Sequence, residues 1–236
     1  MLEDFFEIHK NVIKKIPRKI KRYLYHDIDF NLNAICIFGA RGVGKTTLLL
    51  QYCLEKYDGD PERCLYISGD NVSVVAKGLY ACAQEYFKYG GQTLIIDEIH
   101  KYPNWSQEVK NIIDTYKGKK ILISGSSAFS LRMGKYDLSR RMVYYELNGL
   151  SFREFLNFET GKVYEKYNLN DLIKKHVKYS MELSSDMPIL KYFRDYLKIG
   201  YYPFFLEGRN VFFNRLNNYL KILAQYLILN NHIFRL

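Results

Sequence analysis

Little in this chain points to an oxidising compartment, a structural metal or a membrane. Its four cysteines, Cys36, Cys53, Cys64 and Cys82, stand 17, 11 and 18 positions apart without a CxxC pair. Neither a disulfide framework nor a zinc site is expected, and a reduced, intracellular setting is the natural reading. The opening Met1-Leu2-Glu3-Asp4 is acidic and lacks the basic-then-apolar order of a secretory signal. The longest apolar stretch, Tyr219 to Leu229, is broken by Lys221 and Gln225 and is too short to span a bilayer. A cytoplasmic protein with no membrane partner is the expectation. Internal repeats and low-complexity tracts are absent, and Trp105 is the only tryptophan.

Residues 39–46 carry the chemistry. They read Gly-Ala-Arg-Gly-Val-Gly-Lys-Thr, a complete G-x-x-x-x-G-K-[ST] phosphate-binding loop (Walker A). Glycines at 39, 42 and 44 let backbone N–H groups wrap a β-phosphate closely, with Ala40, Arg41 and Val43 between them. Lys45 is then placed to reach the β/γ-oxygens, and the Thr46 hydroxyl to coordinate Mg²⁺. The flanks agree. Residues 33–38 (Asn-Ala-Ile-Cys-Ile-Phe) read as a buried strand, and Thr47-Leu48-Leu49-Leu50 opens a helix. Phosphates would therefore meet a helix N-terminus, where free N–H groups and the macrodipole both favour negative charge.

Farther along stands Leu94-Ile95-Ile96-Asp97-Glu98, an apolar strand with carboxylates at its C-terminal mouth (Walker B). Asp97 is positioned to hold the metal of Mg·ATP through water. Glu98, beside it, is the candidate general base that takes a proton from attacking water. The plainer alternative is an ordinary acidic strand end.

The chain has 236 residues, 48% hydrophobic, so it can bury a real core: one α/β domain and a smaller appendage. Its net charge of +10 is uneven. Lys/Arg against Asp/Glu run 7 to 5 over 1–30, 16 to 14 over 31–161, and 12 to 6 over 162–236. The last segment thus carries +6, a charge that favours polyanions such as nucleic acid and keeps DNA, beside a protein, among the candidate partners. No basic run there exceeds two residues, and a solvated surface is the favoured reading.

Residues 5–25 show apolar positions at helical spacing, interrupted by Pro17. From 34 onward strand and helix signals alternate: strand 34–38, helix 44–56, strand 64–68, helix 74–88, strand 93–97, helix 105–116, strands 120–124 and 142–147. Alternation implies crossovers and a mainly parallel sheet covered on both faces. The order suits an ATPase with an extra strand between those bearing the two nucleotide motifs. After Ser151 helical periodicity dominates, with a domain boundary placed near 160: residues 1–160 form the ATPase domain, and 161–236 a mainly helical, basic domain.

The chain resembles a bacterial and archaeal family of AAA-type P-loop ATPases whose members join this domain to a C-terminal domain of unknown function. The resemblance rests on Gly39–Thr47, on residues 96–105 (Ile-Asp-Glu-Ile-His-Lys-Tyr-Pro-Asn-Trp), and on Ser124-Gly125-Ser126-Ser127. It continues through Leu138-Ser139-Arg140-Arg141, Leu150-Ser151-Phe152-Arg153-Glu154-Phe155 and Gly200-Tyr201-Tyr202-Pro203. It implies an ASCE-type fold, Mg·ATP as ligand with ADP as product, and self-association as a homo-oligomer. Such members run well beyond this length, so the chain is expected to stop inside the second domain.

The resemblance also places Ser126 where related ATPases keep a polar sensor of the γ-phosphate or attacking water, against a plain Gly/Ser turn. Arg141 falls where the family has an arginine that stabilises transition-state charge, in cis or from a neighbouring subunit; a surface salt bridge is the alternative. His100 would orient Glu98 or contact a partner, with packing at the turn as the favoured reading. Arg22 and Tyr23 are expected near the adenine. The function expected is Mg-dependent ATP hydrolysis, with a slow nucleotide-dependent switch as the alternative.

Overall fold

The computed structural model describes residues 2–126 and 138–233, with the side chains of 222, 223 and 225–233 outside that description. Ser127, part of the polar run after the fourth strand, lies outside the described residues.

Five parallel strands form one sheet: β1 (Ala34–Gly39), β2 (Cys64–Ser68), β3 (Thr93–Asp97), β4 (Lys120–Ser126) and β5 (Val143–Glu146), in the order β2-β3-β4-β1-β5. β4 lies between β1, which feeds the glycine loop, and β3, which ends in Asp97. This is the inserted strand that the sequence order suggested. Side chains alternate across a strand. On one face Cys36, Leu94, Ile96, Ile121 and Ile123 join Leu79, Ala83, Val109 and Ile112 in one apolar cluster. Those four belong to the helices Leu79–Lys88 and Trp105–Thr115. The opposite face presents Ile35, Ile37, Ile95 and Leu122, all fully buried. The helix Lys45–Tyr57 contacts β1, β2 and β4, so helices cover both faces.

The expected helix over 74–88 is two helices, Val72–Lys77 and Leu79–Lys88. Gly78, at φ 92°, turns the chain between them, and Asn71 caps the first by accepting from the N–H groups of Ser73 and Val74. The N-terminal periodicity resolves into Leu2–Ile13 and the short Leu24–Asp27. Pro17 lies in the non-helical stretch between them, since a proline cannot donate to a continuing helix. The first helix covers the open edge of the sheet at β2: His9 Nδ1 accepts from the Tyr66 N–H at 3.0 Å, and Nε2 pairs with the Gly59 carbonyl at 3.0 Å. An edge N–H that would otherwise invite another strand is satisfied by this ring.

The chain divides into two compact units, Met1–Asn148 and Gly149–Leu236. The division falls before the helix Phe152–Thr160, where periodicity alone placed it near 160, because Phe155 packs with Leu150, Ile199, Phe205 and Phe212. Ser151 and Glu154 form a reciprocal capping box that starts this helix. Tyr196 donates to the Leu150 carbonyl at 2.9 Å, and the Leu150 N–H donates to Tyr201 at 2.8 Å. The motif around 150–155 and the Gly-Tyr-Tyr-Pro motif therefore build one core. The helix Leu169–Asp186 has no buried residue. Among the described residues no helix is long and apolar enough to cross a membrane, and the four cysteines are free and buried.

Candidate functional site

β1 runs straight into the glycine loop. A Cβ on Gly39 would stand 2.2 Å from the Leu147 carbonyl oxygen, so no other residue fits there without displacing backbone. Gly44, at φ 98°, then starts the helix Lys45–Tyr57 from a left-handed conformation that glycine adopts without strain. Val43 is fully buried, whereas Arg41 and Gly42 face outward. The Arg22 guanidinium, itself buried, donates to the Val43 carbonyl and to Asn148 O, the latter at 2.7 Å. The loop is thus braced from behind by a residue expected near the adenine.

Lys45 Nζ donates to the carbonyls of Gly39 and Ala40 at 3.0 and 2.9 Å, folding the side chain back over the loop. Burial pushes its pKa below the ordinary lysine value, against the opposing pull of Glu98 and Asp97. Desolvation likewise drives the Cys36 thiol up to about 12, so that group stays neutral. Thr47 follows in the first helical turn, half-buried.

The Thr46 hydroxyl donates to Asp97 Oδ1 and Oδ2 at 3.0 and 2.8 Å. Asp97 is 5% exposed, a costly place for a carboxylate unless hydrogen bonds replace its water. Tyr66 donates to Oδ2 at 3.1 Å and Ser124 to Oδ1. The pair Thr46–Asp97 offers hard oxygen donors beside a helix N-terminus and a lysine. That set fits Mg²⁺, which keeps waters and phosphate oxygens and needs few protein ligands. The described residues include no group of three or more His, Cys, Asp or Glu that could hold a metal ion.

Glu98 has φ 50°, a left-handed conformation uncommon outside glycine, and its N–H donates to Ser124 Oγ at 3.1 Å. Its Oε2 lies 3.6 Å from His100 Nε2 and 3.4 Å from Lys101 Nζ. Lys101 pairs more closely with Asp70, at 2.5 Å; this contact draws the Asp70 carboxyl below and the Lys101 ammonium above their usual ranges.

Ser126 pairs in register with Gly39, so the end of β4 runs beside the start of the loop. Its N–H donates to His100 Nδ1 at 3.3 Å. Arg141 engages the last turn of the helix Trp105–Thr115, where its Nε donates to Asp114 Oδ1 at 2.7 Å. The structure therefore gathers the loop, Thr46, Asp97, Glu98 and Ser126. Sequence reasoning missed Ser124, Tyr66 and the bracing role of Arg22. Ser124 left a trace, a hydroxyl inside an apolar strand; a tyrosine in β2 left none.

Residues 31–156 match a family model described as an AAA domain. An uncharacterized protein of Methanocaldococcus jannaschii is 32% identical over 209 residues, covering 81% of this chain and 42% of that protein. The chain thus spans less than half the length of this curated relative. Among solved structures, the Saccharomyces cerevisiae Hsp104–ADP complex is similar at 18% identity and TM-score 0.48, over 68% of this chain and 27% of that one. AMPPCP-bound DnaA from Aquifex aeolicus is similar at 16% identity and TM-score 0.43, over 78% of this chain and 63% of that one.

Proposed function

The chain belongs to the AAA domain family, and from that premise we propose that it binds ATP with Mg²⁺ and hydrolyses the terminal phosphoanhydride. The observation that carries this reading is the direct pairing of Thr46 with Asp97 beside Lys45. Gly39 to Thr47 wrap the phosphates through backbone N–H groups, and Lys45 exchanges its loop carbonyls for phosphate oxygens. Thr46 and Asp97 would hold Mg²⁺, which supplies charge neutralisation on the triphosphate when bound. Glu98 takes the proton of the attacking water, the role its place next to Asp97 suits. Ser126 and Arg141 are the candidate groups for sensing the γ-phosphate, Arg141 from its own or an adjacent subunit. Pre-placed charge, with no covalent intermediate, would lower the barrier.

A second reading is a slow switch in which nucleotide state governs binding to a protein or DNA partner, or to further copies of the chain. The apolar side chains that the second unit exposes, Leu169, Ile173, Val177 and Met181 in an i, i+4 series, support a partner there. Steady-state phosphate release with Mg·ATP, with and without duplex DNA, tests both. Release abolished in Glu98→Gln with ATP retained supports the hydrolase. ATP-dependent change in assembly size without release supports the switch.

A further inference from the structure

Resting on the hydrolytic reading of Glu98, we propose that His100 is the positioning residue of that base: a neutral imidazole, fixed by the end of β4, that aims its Nε2–H at the Glu98 carboxylate. The backbone of Glu98 is pinned, since its N–H donates to Ser124 Oγ. Its carboxylate is not pinned in the same way. Among the described residues Oε2 faces Lys101 Nζ at 3.4 Å and His100 Nε2 at 3.6 Å. Lys101, on a flexible stem, is shared with Asp70, whereas the imidazole is a short, rigid group.

The His100 ring is held from its other side. Ser126 N–H donates to Nδ1 at 3.3 Å. A backbone amide can only donate, so Nδ1 carries the lone pair and the proton of the neutral ring sits on Nε2, the nitrogen facing Glu98. Burial, the largest influence on this ring, favours the neutral form; Glu98 and Asp97 oppose it, and Lys101 and Lys45 reinforce it. The 3.6 Å separation is longer than a hydrogen bond; positioning of the base requires it to shorten once Mg·ATP is bound, as apo catalytic contacts commonly do.

The end of β4 thereby governs both acidic residues. Ser124 holds Asp97 and the Glu98 backbone, and Ser126, acting through His100, sets the Glu98 carboxylate. Neither link passes through Lys45. Loss of the ring nitrogens should slow turnover and leave nucleotide binding alone.

The test uses the whole chain. Without nucleotide, ¹⁵N imidazole shifts of wild type at neutral pH should show His100 Nδ1 unprotonated and Nε2 protonated. With Mg·ATP, His100→Phe should lower kcat about ten- to a hundredfold and keep Kd for ATP within about twofold, while His100→Gln, which retains a donor toward Glu98, recovers much of kcat. A protonated Nδ1 overturns the proposal, as does wild-type kcat in His100→Phe, or equal loss in both variants. Should wild type release no phosphate, the hydrolase reading falls, while the tautomer still decides how His100 is held.

Discussion

Thr46 Oγ1 donates to both carboxylate oxygens of Asp97, closing 51 residues of chain into one contact between the helix that leaves the glycine loop and the mouth of β3. The carboxylate is also the acceptor for Tyr66 and Ser124. Asp97→Ala would leave buried hydroxyls without their acceptor, at about 1–3 kcal/mol. Urea unfolding should show this loss even without nucleotide, together with loss of Mg-dependent ATP binding. Asp97→Asn should keep much of the stability and still lose the metal dependence.

Among the described residues the Glu98 carboxylate has only the longer contacts to Lys101 and His100, at 3.4 and 3.6 Å. Glu98→Gln should therefore unfold like wild type and retain ATP, while kcat falls about 10²–10⁴-fold, the range for removing a general base. Phosphate release under saturating ATP reads this out.

Arg22 braces the loop through the Val43 carbonyl and is almost fully buried. Arg22→Ala should cost about 1–3 kcal/mol by leaving that carbonyl and Asn148 O unpaired. It should also weaken ATP affinity without touching the phosphates, and calorimetric titration beside urea unfolding measures both.

Acid should weaken the fold through His100. Its folded pKa lies below the ordinary value of 6.5, so as pH falls below 6.5 the unfolded chain binds a proton that the folded chain refuses. Stability contributed by the neutral ring is thus present above 6.5 and is lost as pH drops towards the folded pKa. Unfolding followed from pH 7.5 downward should lose less stability in His100→Phe than in wild type over that window.

The sequence made the sheet, the loop and the acidic strand end legible because each is a local pattern: short continuous apolar runs, fixed glycine spacing, a carboxylate after three apolar residues. Gly78 was readable in principle, but the apolar spacing continued through it and hid the break between two helices. What escaped depends on three-dimensional neighbours. Tyr66 reaches Asp97 only because β2 lies beside β3, and Arg22 reaches Val43 only when the strand places the loop over it. The motif around 150–155 stood in the sequence only as a mark of family resemblance; in the fold its Ser151 and Glu154 cap a helix and its Phe155 fills the second unit's core.

Equilibrium binding of ATP in the presence of Mg²⁺, comparing wild type with Lys45→Ala, puts the central claim to its most direct test. The account predicts saturable uptake by wild type and an affinity at least about tenfold weaker in the variant, the loss of one charge-assisted contact. Wild type that takes up no ATP, or a variant that takes it up undiminished, would contradict it.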